Sequence, residues 1–330
     1  MFGTSLRRYG ILGINARNLD YIFASNPRQL YRYADNKLET KKVAQSIGVA
    51  VPETYGVIAF QGEVRNLSNI VKEHKSFVIK PAHGSGGDGI VVISDVTNEG
   101  YRKASGSIIK HGDLQYHIYN ILSGMFSLGG QTDKAIIEYA VQFDPVFEEI
   151  AYQGVPDVRV IVYRGVPAMA MLRLPTRASD GKANLHRGGV GVGIDLSTGT
   201  TLAGIQKNRY IDNHPETGHS LCNRQIPHWK TILDMATRLG DKTEFGYLGV
   251  DIVLDQQKGP LLLEINARPG LAIQISNREG LIGRLEAIDK ALPKLSGIQE
   301  KIAFAQEKFS VKRFLYNKVK NINTLADTVN

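Results

Sequence analysis

A chain of 330 residues with 42% hydrophobic and 22% charged content can bury a sizeable core and has the composition of a globular protein. No apolar run nears the roughly 18 residues that span a bilayer, no apolar stretch before Arg17 and Asp20 reads as a signal peptide, and the lone Cys222 excludes an internal disulfide and suits a reducing cytoplasm. A net charge of +8 favours acidic partners such as nucleotides and glutamate-rich peptides.

Residues 1–34 hold a short glycine-containing stretch, Gly10 to Asn15, and an aromatic helix-like stretch ending at Tyr33; this is too short for a nucleotide-binding half-domain. A helix is signalled from Asp35. Asp35 or Asn36 caps it, Leu38, Ala44 and Ile47 fall near helical spacing, and Gly48 with Pro52 ends it. Thr54 to Phe60 reads as a strand and Val64 to Glu73 as a short helix. The stretch VIKPAHGSGGDGIVVI then sets Gly84, Ser85, Gly86, Gly87, Asp88 and Gly89 between two apolar runs. Glycines at that density let backbone N–H groups converge on an anion, with a plain tight turn as the alternative. A strand follows the loop, so neither the P-loop nor the dinucleotide fingerprint fits. Lys80 lies inside an apolar strand and needs a partner, which a nucleotide phosphate would supply.

Tyr101 to Gly112 reads as polar and irregular. Leu114, Ile118, Ile121, Leu122 and Met125 form a helical stripe assigned to the core, and His111 and His117 have no metal-type partners in sequence. A strand covers Ala135 to Ala140. Val158–Tyr163 and Val166–Leu174 make a hairpin turning at Arg164-Gly165, and Arg159 and Arg173 on its strands call for anions. Residues 175–190 are a polar loop with Asn184, His186 and Arg187, either ordered around a substrate or simply exposed. Helices are predicted at His228 to Leu239 and Gly280 to Lys294. A basic helical tail follows, carrying Lys301, Lys308, Lys312, Arg313, Lys318 and Lys320.

The most informative stretch is Phe245 to Leu271, which reads as two strands, Leu248–Leu254 and Leu261–Ala267. If Leu254 pairs with Leu261, Asp251 lies opposite Glu264 and Asn266 shares Glu264's face. Leu248, Val250, Ile252, Leu254, Leu261, Leu263 and Ile265 then form the apolar face. Carboxylates opposed at roughly 5 Å repel. Mg²⁺ would supply the counter-charge and take further ligands from water and phosphates, and Gly249 opposite Asn266 would leave it room. A solvated face with scattered acids is the alternative, and a one-residue slip would part the two acids.

Taken in order, these motifs resemble the ATP-grasp superfamily, above all VIKPAHGSGGDGI with GVDIV and LLLEINARPG, over about Asp35 to Arg284. Within it the chain is similar to the glutamate ligases that modify ribosomal protein or coenzyme tails, and to α-L-glutamate-ligase-like proteins. The resemblance implies an α+β ATP-grasp fold, two α/β subdomains gripping ATP between antiparallel sheets. Residues 1–34 would be a truncated pre-grasp segment, 35–290 the grasp domain with a lid subdomain near 75–140, and 291–330 the tail. It implies that Lys41 (or Lys37) and Lys80 bind ATP phosphates under a lid of Gly84, Ser85, Gly86, Gly87 and Gly89. Backbone at Glu138, Tyr139 and Ala140 would hold adenine, and Glu148 or Glu149 the ribose. Asp251, Glu264 and Asn266 would hold two Mg²⁺ ions, with Mn²⁺ as a substitute. Arg159, Arg173, Asn184 and Arg268 would face the transferred phosphoryl group or the substrate carboxylate.

The activity implied is ATP-dependent carboxylate–amine ligation through an acyl phosphate, joining glutamate or another amino acid to an acidic peptide or small molecule. A small-molecule kinase or a non-catalytic nucleotide-binding module on the same fold are the rival readings. A protein partner and a homo-oligomer stay open, and nucleic acid is disfavoured.

Overall fold

The computed structural model describes residues 6–84 and 86–311; Ser85 and the tail's Lys312, Arg313, Lys318 and Lys320 lie outside the described residues. Helix α1 (Lys37–Ser46) starts where the predicted cap works, the Asn36 side-chain oxygen accepting from Leu38 N at 2.9 Å and Glu39 N at 3.4 Å. It stops at Gly48, whose φ of +70° suits a residue without Cβ.

Strands β1 (Thr54–Ile58), β2 (Phe77–Pro81), β3 (Val91–Thr97), β4 (Gly100–Lys103), β5 (Ile108–Ile109) and β6 (Ala135–Glu138) form one sheet, ordered β1-β6-β2-β3-β4-β5 with antiparallel pairs throughout. Helix α2 (His111–Leu122) covers it with the buried side chains Leu114, Ile118, Ile121 and Leu122, whereas Met125 falls outside the helix and is exposed. The stretch predicted to be irregular, Tyr101 to Gly112, contains β4, β5 and the start of α2. Strands of four and two residues are too short to display a period-2 pattern.

The second sheet comprises β7 (Asp157–Tyr163), β8 (Val166–Leu174), β9 (Val190–Ile194), β10 (Thr201–Gln206), β11 (Arg209–Ile211), β12 (Tyr247–Asp255) and β13 (Gly259–Asn266). Their order is β11-β10-β9-β8-β7-β12-β13. The larger core lies here. Helix α3 (Trp229–Thr243) contributes Ile232, Leu233, Met235, Ala236 and Leu239 at helical spacing, and α4 (Ile282–Ala291) and α5 (Ile298–Lys308) add Leu285, Ile288 and Ile302.

The predicted acid register is present, but by a different route. Leu254 pairs with Pro260, not Leu261, and Ile252 pairs with Leu262. A β-bulge then lets Asp251 face Glu264 and Gly249 face Asn266. The bulge moves Leu262 into the core, and Leu263 is only half-buried.

The N-terminal segment is sewn onto the end of this hairpin. The Gln274 side-chain oxygen accepts from Leu12 N at 2.8 Å and Leu281 N at 2.9 Å, while its nitrogen donates to Leu12 O at 3.0 Å. Ile282 N donates to Gly10 O at 3.0 Å, and Asn26 bonds both ways with the Tyr247 backbone.

Candidate active site

Cross-strand pairing builds the polar face of the second sheet. Arg173 lies opposite Asp157 across β8 and β7, Arg159 opposite Asp251 across β7 and β12, and Asp251 opposite Glu264 across β12 and β13. Arg159 grips Asp251 with Nε at 2.7 Å and Nη2 at 2.5 Å. Arg173 grips Asp157 at 2.5 and 2.8 Å and reaches Asp251 at 2.6 Å. Asp251 therefore takes its counter-charge from two guanidiniums, not from the cation that the repulsion argument invoked. Burial works to raise the Asp251 carboxyl, but Arg159 and then Arg173 overcome it and hold it down at about 2. Asp157 goes the other way: burial pushes it up to about 7 against the pull of Arg173, with the Asp251 charge adding to the rise.

Glu264 is half-buried and has no hydrogen bond or ion pair among the described residues. When every group is ionised, the carboxylates of Asp157, Asp251 and Glu264 face the guanidiniums of Arg159 and Arg173, and the charge of Glu264 also acts on the buried Lys37. Neighbouring Asn266 accepts one hydrogen bond at its side-chain oxygen, from Arg268 N at 3.1 Å, and among the described residues that oxygen's second lone pair is left for a cation. A Mg²⁺ ion commonly takes one or two carboxylate ligands and completes its shell with water and phosphate oxygens, so Glu264 with Asn266 fits such an ion. Asp251, with both oxygens on arginines, does not fit as a ligand in this arrangement. Among the described residues no cluster of three or more His, Cys, Asp or Glu could hold a metal unaided.

A cavity of about 1200 Å³ opens over this face. It brings together the predicted Arg159, Arg173, Asn184, Arg268, Glu264 and Asn266 with Gly86 of the glycine-rich loop. Asn184 also caps the turn that follows it, accepting from His186 N at 3.0 Å. Lys41, Lys80, Gly84, Gly87, Gly89, Glu138, Tyr139, Ala140, Glu148 and Asp251 do not line it.

Several of these have other partners. Lys80 is neutralised by Glu138, the partner that a phosphate was predicted to supply. Lys41 pairs with the same carboxylate at 2.5 Å and donates to Pro52 O and the Thr54 hydroxyl, so its ammonium already has three partners. Lys37 is the helix lysine that reaches the glycine-rich loop, donating to Gly84 O. Burial lowers its pKa, and the charge of Glu264 opposes that drop. The Tyr139 N–H is occupied by Glu53 O and its hydroxyl meets Asp255. Glu148 and Glu149 are both exposed, and Glu149 is tied to Arg224 at 2.8 Å.

The loop itself is anchored at both ends. Asp133 accepts from His83 N and the Ser127 hydroxyl, and His117 Nε2 donates to Gly89 O at 2.9 Å. Burial lowers the pKa of His117, consistent with a neutral ring that carries its proton on Nε2. Across the cleft Asp88 pairs with Arg187 at 2.7 Å and Lys182 at 3.7 Å, joining the loop to residues 175–190.

Sequence reasoning missed the opposite wall: Leu6, Tyr9, Ile14, Arg17, Tyr210 and Arg278 also line the cavity. No motif marks them. The one available cue was Arg17 among the apolar and small residues of GILGINA.

No curated protein matches the chain. Among solved structures it is similar to the ATP-grasp ligase PsnB complexed with minimal precursor, at 14% identity and TM-score 0.44, covering 82% of this chain and 64% of that one. It is similar to the D-cycloserine synthetase DcsG, at 16% identity and TM-score 0.47, covering 81% and 73%. It is also similar to D-alanyl-alanine synthetase A from Vibrio cholerae, at 12% identity and TM-score 0.48, covering 80% and 66%. The chain thus spans about two thirds of the length of these proteins, and less than that of PsnB. Its two antiparallel sheets with flanking helices are the ATP-grasp fold. With residues 16–290 matched, the chain belongs to the family described as sugar-transfer associated ATP-grasp.

Proposed function

We propose that the chain is an ATP-dependent carboxylate–amine ligase of the cytoplasm that works through an acyl phosphate. The observation that supports this most is the cavity in which Arg159, Arg173, Glu264 and Asn266 meet the glycine-rich loop. Mg²⁺ held by Glu264 and Asn266 would neutralise phosphate charge during transfer. Arg159 and Arg173 are locked by Asp251 and Asp157 through Nε and Nη2, and among the described residues nothing bonds Nη1 of either, so each can meet a transferring phosphoryl group. Donors fixed in advance need no reorganisation as charge develops. Lys37, together with Lys41 and Lys80 that share the single carboxylate of Glu138, leaves positive charge in excess near the base of the glycine-rich loop, and the loop shuts out the water that would hydrolyse an acyl phosphate. The amine then displaces phosphate, and no nucleophilic side chain is required.

The preference for glutamate rests on motif likeness alone. The family is described as associated with sugar transfer, which is the reason to include sugar acids among the substrates tested. An ADP-release screen over amino acids, short acidic peptides and sugar acids, with mass spectrometry of products, tests the reading. Release should require both Mg²⁺ and an amine, and Glu264→Ala should lower turnover at least about a hundredfold, since it removes the carboxylate assigned to the ion. Full turnover in Glu264→Ala would sink the reading, and a stable phosphorylated product formed without an amine would replace it with a kinase.

A further inference from the structure

Arg17 is only 7% exposed, lines the cavity, and has no carboxylate partner among the described residues. Its Nη1 donates to Pro269 O at 2.8 Å, and Nε and Nη2 both donate to the Asn18 side-chain oxygen at 3.1 and 2.8 Å. Three of its five N–H groups are thereby used, all on neutral acceptors, and two remain. The other arginines of the cavity divide into two sets. Arg159 and Arg173 are neutralised by Asp251 and Asp157. Arg268 and Arg278 stack over Tyr31 and Tyr210 at 4.7 and 4.3 Å and, like Arg17, have no carboxylate. A buried guanidinium that meets only neutral oxygens is costly to hold, and an arriving anion removes that cost.

Position narrows what the anion can be. Pro269, which Arg17 holds, follows Asn266 by three residues and packs over Gly249, where a Cβ would come within 2.7 Å of the Pro269 ring. The Arg17 end of the cavity is therefore continuous with the Glu264–Asn266 end without being the same place. Nucleotide phosphates belong beside the glycine-rich loop, leaving the N-terminal wall for the second substrate. Leu6, Tyr9, Ile14 and Ile275 form an exposed apolar lip around that wall, suited to an uncharged remainder of the molecule.

We infer that Arg17, assisted by Arg268, binds a carboxylate of the ligase's second substrate, so that the N-terminal segment is its specificity wall. This rests on the ligase reading for the word substrate, while the anion site itself is testable without ATP. The fork of Arg17 would take a carboxylate bidentately through its unused N–H groups.

The full chain is titrated without nucleotide with L-glutamate, D-glucuronate and acetate in separate series at matched ionic strength, with thermal unfolding as the readout. At least one of these carboxylates should stabilise the parent protein. Arg17→Lys should bind it roughly ten- to a hundredfold more weakly, the loss expected when a charge-assisted bidentate contact becomes a point charge. Arg17→Met should show no shift. Where Arg17→Met fails to fold, Arg17→Lys and Arg268→Ala decide. Selective response to glutamate assigns the site to amino acids, and selective response to glucuronate assigns it to sugar acids; either supports the site. No stabilisation of the parent by any of the three, or equal stabilisation of parent and variants, overturns it. The two readings fail separately: turnover with an unchanged KM for the carboxylate in Arg17→Lys keeps the ligase and removes this site. Carboxylate binding lost with Arg17 in a protein that releases no ADP keeps the site and removes the ligase.

Discussion

Asp157 and Asp251 lie on adjacent strands and share Arg173, yet their carboxyls are driven in opposite directions. Two guanidiniums hold Asp251 at about 2, so its stabilising contribution is complete above pH 3.8 and is lost only as pH falls from there towards 2. Asp157 is raised from 3.8 to about 7, so its sign is reversed. Both folded and unfolded chains hold the proton below pH 3.8. As pH rises to about 7, the unfolded chain gives it up more readily, and stability falls across that window. Urea denaturation of the parent and Asp157→Asn at pH 5 and pH 7.5 isolates this effect from the histidines. The parent should lose stability relative to the variant over that range, by on the order of 1 kcal/mol or more. Parallel pH profiles would show that Asp157 is ionised throughout.

A single added methyl group would disturb the glycine-rich loop at its anchored end. Gly89 has φ +73°, and a Cβ there would come within 2.6 Å of the Phe126 ring. Gly89→Ala should therefore cost roughly 1–3 kcal/mol in thermal unfolding and raise the KM for ATP, because the strain falls on the loop's anchored end. An unchanged KM for ATP would mean that this loop does not cover the nucleotide.

Much at this scale was legible in the sequence. The hairpins β7–β8 and β12–β13 are long apolar runs with clear turns, and the Asn36 cap is a local signal. The bulge was not legible, because a two-against-one pairing is a property of two strands together. Partners were the larger gap. Arg159 and Arg173 were recognised as needing anions, and Asp251 as needing a cation, yet nothing in chain order reveals that β12 lies beside β7. Lys80 finds Glu138 only because β6 runs beside β2, and Arg17 finds Pro269 across 252 residues.

At the scale of the whole molecule the two sheets are joined near one side and clasped at another. Asp255 of β12 accepts from Gln142 N at 2.9 Å and bridges to Phe143, binding the chain that leaves β6. Elsewhere, Asp88 of the glycine-rich loop pairs with Arg187. Both side chains of that pair are about half exposed, so the contact should be worth under about 1 kcal/mol and weaken with salt. Arg187→Ala should leave the unfolding temperature almost unchanged while speeding limited proteolysis within residues 84–90. Equal cleavage rates in parent and variant would show that the clasp does not govern opening.

The Gln274 amide, 5% exposed, accepts from two backbone N–H groups 269 residues apart and donates back to one of the same residues. It acts as a rivet through two layers of chain. A shift of that one side chain would therefore loosen Leu12 and Leu281 alike, and deuterium uptake at those two amides should fall in step whenever a guest presses the amino-terminal wall into place.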